Sequence, residues 1–297
     1  SSRNNQCLDC LFINQQVWRT ALVAPASPIE HVTRSDLHLV TRDGIEISRL
    51  EGGASSTALT ILEDEWGEAD MAGFPHYMLK EIHEQPEALR RCITGRLDMA
   101  NGSAKLGGLR LDPIRLRTVP HVRLIGCGTA LNATKIGQLA IESLARIPAV
   151  AHVASEFRYN DPVINPNAIH FAVSQSGETA DTLSAVKEIQ LKGGDVHGIV
   201  NVVGSTIART CGQGVYIHSG PEQAVASTKA FTNMVASLLL FAIRIGRTRN
   251  FSREKGQSII EDFQRVPDLM EKYLQNPGPI DEAVELVKGA KSVLFLG

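Results

Sequence analysis

At 297 residues, with 43% hydrophobic and 21% charged side chains, the chain is long enough for about two domains and ordinary in composition for a globular protein. A net charge of −2 gives no electrostatic reason to expect nucleic acid or an anionic membrane as a partner. No apolar run approaches the length of a membrane span, and the opening SSRNNQCLDCLF lacks a basic segment leading into a long apolar core, so a cytoplasmic protein is expected.

Residues 1–52 read as short β segments. VWRTALVA and the pair within DLHLVTRDGIEISRL have strand character, the pair joined at Asp43-Gly44 as a hairpin turn. Too few strands are present for an independent sheet, so this stretch reads as the tail of a larger domain. Residues 53–73 have the composition of a linker, with Glu63, Asp64, Glu65, Glu68 and Asp70 beside glycines and serines, as in a solvated connector. Five cysteines, an odd number without zinc-site spacing, suggest neither a disulfide framework nor a metal centre, and the lone pair Cys7 and Cys10 is unremarkable.

From Phe74 the texture changes. HYMLKEIHEQPEALRRCI has helical spacing, and Pro86 implies a kink or a break between two helices. Apolar runs follow at 122–126, 151–155, 169–173, 196–200 and 214–218, most of them separated by helical patterns. Continuous apolar strands alternating with helices predict a five-stranded parallel sheet in a three-layer αβα sandwich over residues 74–250. Residues 251–297 predict two further helical segments, then KSVLFLG, whose texture matches HVRLIGCG and suggests the first strand of a second, incomplete copy.

In an open parallel sheet, ligands bind beyond the carboxyl ends of the strands. Three loops have the composition for it: GCGTALN from Gly126, SQSGET from Ser174 and EQAVASTK from Glu222. Each brings small hydroxyl residues and backbone N–H groups to a helix N-terminus, where unpaired amides and the helix dipole favour an anion. In SQSGET, Ser174 and Ser176 can donate to phosphate oxygens, Gly177 allows close backbone approach, and Thr179 can serve as both N-cap and ligand. The bland alternative is that these residues only cap a helix. A dinucleotide site is disfavoured because Leu131 stands where G-x-G-x-x-G needs its third glycine, and no Walker-type loop occurs. The dispersed histidines read as surface or strand-end residues, and Lys229 reads as a member of a local ion pair.

CGTALNA, ASEFRY, SQSGETADTL and VASTKAF, in this order, together with the preceding helix FPHYMLKEIHEQPEAL, resemble the first sugar isomerase (SIS) domain of the glutamine–fructose-6-phosphate aminotransferase (isomerizing) family. The resemblance covers roughly residues 74–297, and residues 1–52 match more loosely the end of that family's glutaminase domain. It implies a flavodoxin-like SIS fold and an aminotransferase that makes glucosamine 6-phosphate from fructose 6-phosphate and glutamine. No cofactor is implied, and family members dimerise. It further implies that Ser174, Gln175, Ser176 and Thr179 are sugar-phosphate ligands, that Val225 and Ser227 line the sugar, and that Thr129 lies in a loop closing over it.

Ala130 departs from the family, whose loop carries serine there; the lost hydroxyl should weaken sugar binding by about 1 kcal/mol. Neither Cys7 nor Cys10 matches the family's glutaminase nucleophile. Its isomerase base, histidine and Schiff-base lysine fall beyond Gly297, so no catalytic residue is expected within this chain and the chain alone is expected to be inactive. Two other readings stand beside this one. The first is a non-catalytic SIS module that senses a sugar phosphate. The second is a simple sugar-phosphate isomerase, for which Glu178 and Glu222 are the local candidates for a base.

Overall fold

The computed structural model describes residues 71–294 and, ahead of them, the backbone of four short strands. The chain divides into two compact units, residues 1–70 and 71–297. In the first, β1 (Ile29–Glu30) pairs antiparallel with β4 (Leu59–Thr60), and β2 (Asp36–Thr41) with β3 (Gly44–Arg49). The expected hairpin is present, but Gly44 pairs with Thr41 and so begins the second strand instead of forming the turn. VWRTALVA lies outside the described residues, and so does the expected linker apart from β4 and residues 71–73.

The second unit opens with α1 (Tyr77–His83) and α2 (Gln85–Ile93), broken at Pro86 as expected. Proline is tolerated in the first turn of α2, where its missing N–H costs nothing, but would clash inside a continuous helix. Two-residue strands β5 (Leu97–Asp98) and β6 (Ser103–Ala104) and the short α3 (Pro113–Thr118) lead to the main sheet. There the order is β7 (Val122–Gly126), α4 (Thr129–Ala145), β8 (Ala149–Val153), α5 (Ala154–Tyr159), β9 (Ile169–Ser174) and α6 (Ala180–Leu191). Then come β10 (Val196–Val200), α7 (Thr206–Cys211), β11 (Gly214–Tyr216), α8 (Lys229–Arg249), α9 (Arg253–Gln275) and α10 (Gly278–Val287).

The five strands lie in the order β11-β10-β9-β7-β8, all parallel. Every residue of β9 and β10 is buried, which is why these strands read as unbroken apolar runs. One face packs Val122, Leu124, Phe171 and Ile199 against α4 and α8, and the other packs Ile125, Ala172 and Val196 against α5 and α6. Three layers result. At the edge, the amides of Ala149 and Ala151 donate to Glu142 Oε1 (3.1 Å) and Gln138 Oε1 (2.9 Å) on α4, so side chains occupy donors an edge strand would otherwise expose.

Four expectations need correction. β8 begins two residues early and ends at Val153, because ASEFRY forms α5, with Glu156 in its first turn complementing the dipole. KSVLFLG carries no strand in its described part, residues 291–294. A strand needs a partner for its backbone groups, and local texture cannot supply one. α8 is, by length and composition, long and apolar enough to cross a membrane, contrary to the reading above; 72% of its most apolar window is buried inside the unit, as in a core helix. His170 and His197 are not surface residues: each is the second residue of its strand, β9 or β10, and they are 0% and 2% exposed.

Candidate functional site

The chain enters the sheet at β7, moves outward to β8, then crosses back to β9, so strand order reverses between β7 and β9. The loops that leave these two strands flank the crevice in which parallel α/β sheets hold ligands. They are the first two loops picked out from composition, and Thr182 Oγ1, in the first turn of α6, points its hydroxyl at Cys127 Sγ (4.0 Å) in the first of them.

In the second loop the hydroxyls divide their work. Ser174, the last residue of β9, is 3% exposed. Its Oγ lies 3.0 Å from Thr179 Oγ1 and accepts the amide of Gly177 at 3.0 Å, so it braces the loop from within. Ser176 is half-buried, and its Oγ accepts the amide of Glu178 at 3.2 Å. Gly177 has φ +67°, and a Cβ there would stand 2.0 Å from Ser205 Oγ, so only glycine fits. Its carbonyl accepts the amide of Ile207, and Glu178 Oε1 accepts that of Thr206, each at 2.9 Å, which ties the loop to α7. Thr179 occupies the N-cap position of α6 as expected, but its hydroxyl faces Ser174, and among the described residues no side chain caps that helix. The first-turn amides of α6 remain for an anion.

Thr129 is exposed as the first residue of α4. Ala130 beside it is buried and belongs to the apolar cluster with Val122 and Leu124, so in this chain the position contributes packing. The third loop departs from expectation. Glu222 Oε1 accepts the amides of Thr228 (2.9 Å) and Ala230 (3.1 Å), and its Oε2 accepts the Ser227 hydroxyl (2.9 Å). A carboxylate of the chain itself thus occupies the N-terminus of α8, where composition suggested an external anion. Val225 projects fully into solvent, while Ser227 is half-buried.

Glu178 and Glu222, the candidate bases, both accept backbone amides, an arrangement suited to holding loops. Lys229 is 4% exposed and paired with Glu84 at 2.5 Å; the expected ion pair exists, but its partner lies 145 residues away instead of nearby in sequence. Burial works to raise the Glu84 pKa, yet hydrogen bonding and attraction from Lys229 and Lys80 outweigh it and hold the carboxyl below its usual range. Among the described residues no group of three or more His, Cys, Asp or Glu could hold a metal. A cavity of about 330 Å³ lined by Arg123, His152, Glu156 and Asn160 lies beside β8 and shares no residue with the three loops.

Two residues that sequence reasoning passed over join the loops. Asn201, directly after β10, donates its amide N–H to the Gln175 carbonyl (3.2 Å), while its side chain accepts from Ser219 N (2.9 Å) and donates to the Gly220 carbonyl (2.8 Å). Glu81 on α1, 2% exposed, accepts the amides of Gln223 and Ala224. A polar residue at a strand end was a readable signal for the first; nothing local marked the second.

A parallel sheet in the order 2-1-3-4-5, with a hydroxyl-rich turn at its switch point, defines a class, and residues 115–244 match the SIS domain family model. These residues are a SIS domain. Over 263 residues the chain is 42% identical to glutamine–fructose-6-phosphate aminotransferase [isomerizing] from Thermus thermophilus, covering 88% of this chain and 43% of that protein. The same-named protein of Chlorobaculum tepidum is 37% identical over 276 residues, covering 93% of this chain and 45% of the relative. Among solved structures, the C-terminal domain of glucosamine-fructose-6-phosphate aminotransferase from Francisella tularensis is similar with a TM-score of 0.69 and 32% identity, over 74% of this chain and 62% of that one. The chain is a homologue of part of the glutamine–fructose-6-phosphate aminotransferases, and it spans less than half the length of the curated relatives it matches.

Proposed function

We propose that this chain supplies the fructose-6-phosphate-binding part of a glutamine–fructose-6-phosphate aminotransferase (isomerizing), the enzyme that forms glucosamine 6-phosphate in hexosamine biosynthesis. The observation that carries this reading is the SQSGET loop at the switch point, with Ser176 half-exposed beside the uncapped N-terminus of α6. A phosphate monoester can be held there by neutral donors and amides, without lysine, because the first-turn N–H groups carry partial positive charge. In this reading Ser176, Thr179 and the α6 amides hold the phosphate, and Ser174 shapes the loop around it. Gln175 and Thr129 border the sugar from one side, and Val225 and Ser227 from the other.

No cofactor takes part. Ammonia from glutamine reaches the sugar from a glutaminase domain to which residues 1–52 belong, with 53–73 as connector, and residues 251–297 lead toward a second SIS domain carrying the amine and base. The working protein is a cytoplasmic homodimer that binds neither nucleic acid nor membrane. Titration calorimetry with fructose 6-phosphate tests the binding assignment. Ser176→Ala combined with Thr179→Ala should cost about 2–4 kcal/mol of affinity through lost phosphate hydrogen bonds. An affinity unchanged in the double variant would remove the phosphate from this loop.

A further inference from the structure

Resting on that reading, we infer that Glu81 is a positioning residue for the sugar-facing half of the site, acting through the loop that carries Val225 and Ser227 and leaving the phosphate half untouched. The two halves share Asn201, which bonds Gln175 in one and Ser219 and Gly220 in the other, but their remaining anchors come from different parts of the molecule. The phosphate loop is braced internally by Ser174 and Thr179 and externally by α7, through Thr206 and Ile207. The sugar-facing loop has no secondary structure between Gly220 and Thr228, so its place depends on its hydrogen bonds.

Four residues supply those bonds, among them Arg91, whose guanidinium donates to the carbonyls of His218 (3.4 Å) and Ser219 (3.3 Å) at the loop's beginning. Glu222 curls the loop onto the first turn of α8, but it lies within the loop. Asn201 holds the loop's beginning at Ser219 and Gly220. The middle is held by Glu81 alone among the described residues. Its Oε1 accepts the Gln223 amide at 2.5 Å and the Ala224 amide at 3.2 Å, with Oε2 3.3 Å from the latter. Val225 follows immediately, so the carboxylate sets the direction in which the loop tip leaves the domain surface.

Two facts give this contact weight. Glu81 is buried, and none of the ion pairs among the described residues involves it, so backbone amides answer its charge. A buried carboxylate satisfied in this way is costly to disturb, and charge-assisted hydrogen bonds are about twice as strong as neutral ones. The C-terminal end of the helix carrying Glu81 is tied to α8, since Glu84 pairs with Lys229, and Gln85, which opens α2, accepts the Thr232 hydroxyl at 2.6 Å. α1 therefore acts as a rigid post for the loop.

The test uses the full chain with two probes, fructose 6-phosphate and inorganic phosphate, on wild type, Glu81→Ala and Glu81→Gln. Glu81→Ala should weaken fructose 6-phosphate binding by about tenfold or more, the worth of a lost buried charge-assisted contact. Glu81→Gln keeps one acceptor oxygen and should recover most of that loss. Inorganic phosphate should bind all three proteins within about twofold, because nothing in the phosphate loop touches Glu81. Equal losses for both probes, or none for either, would overturn the inference. If Glu81→Ala does not fold, the same comparison on Glu81→Gln decides, with a smaller but still selective loss of the sugar phosphate expected. A wild-type chain that binds neither probe overturns the underlying reading, and this inference with it. Binding of both probes that collapses only in the Ser176 and Thr179 double variant overturns the role of Glu81 alone.

Discussion

His197, the second residue of β10, has its Nδ1 buried and unpartnered and its ring 5.6 Å from that of Phe171. His170, one strand over, donates Nδ1–H to the Asp195 carbonyl at 3.0 Å and leaves Nε2 buried without a partner. Burial, which disfavours the imidazolium, brings both pKa values down from 6.5 to about 4. The folded protein thus binds protons less readily than the unfolded chain. Stability from these residues is complete above the unfolded pKa and is lost as pH falls from there toward 4, by about 1.4 kcal/mol per pH unit for each group. His197→Leu should leave stability at neutral pH within about 1.5 kcal/mol and should flatten the decline between pH 6 and 4.5. Urea melts across that range check it, and an unchanged slope would refute the assignment. At this scale the sequence was uneven as a guide. The helix start at Thr179 could be read from SQSGET because turn and cap chemistry is local. The burial of two strand histidines and the role of Glu81 were invisible because neighbours far along the chain created them.

Among the elements, α4 and α8 pack closely enough that side-chain size at their crossing matters. A Cβ on Gly137 would meet Leu238 Cδ1 at 2.7 Å and Cβ at 3.0 Å, and the second atom cannot swing aside by a rotamer change. Gly137→Val should destabilise the unit by about 3 kcal/mol through overpacking, measured as a lowered denaturation midpoint at unchanged m-value. A loss below about 0.5 kcal/mol would mean that the helices can part without cost. Sequence periodicity found these helices and most of the strands, since amphipathic spacing and unbroken apolar runs report burial directly. Boundaries fared less well. α5 displaced the end of an expected strand, and the terminal strand-like segment stayed irregular in residues 291–294. α9 places Ile260 and Phe263 within the core of the sandwich unit, an attachment that only packing reveals.

For the molecule as a whole, the proposed reading separates binding from turnover. Converting a ketose phosphate to an amino sugar needs an amine to activate the carbonyl, a base between adjacent carbons, and ammonia. Around the three loops Lys229 is held by Glu84, while Glu178 and Glu222 accept backbone amides. Incubation of the chain with fructose 6-phosphate and an ammonium salt should yield no glucosamine 6-phosphate above the protein-free rate. Product that disappears in Lys229→Ala would overturn that expectation. The alternation of apolar strands and helices, the parallel sheet and the hydroxyl-rich turn could all be read along the chain, because each follows from the spacing and chemistry of residues within a few positions of one another. Three features could not be read in that way: the carboxylate that fills the N-terminus of α8, the Asn201 bridge between loops, and the post formed by Glu81. These depend on which strand ends the topology sets side by side, and a buried charge reveals its purpose only once the amides that answer it have been brought to it.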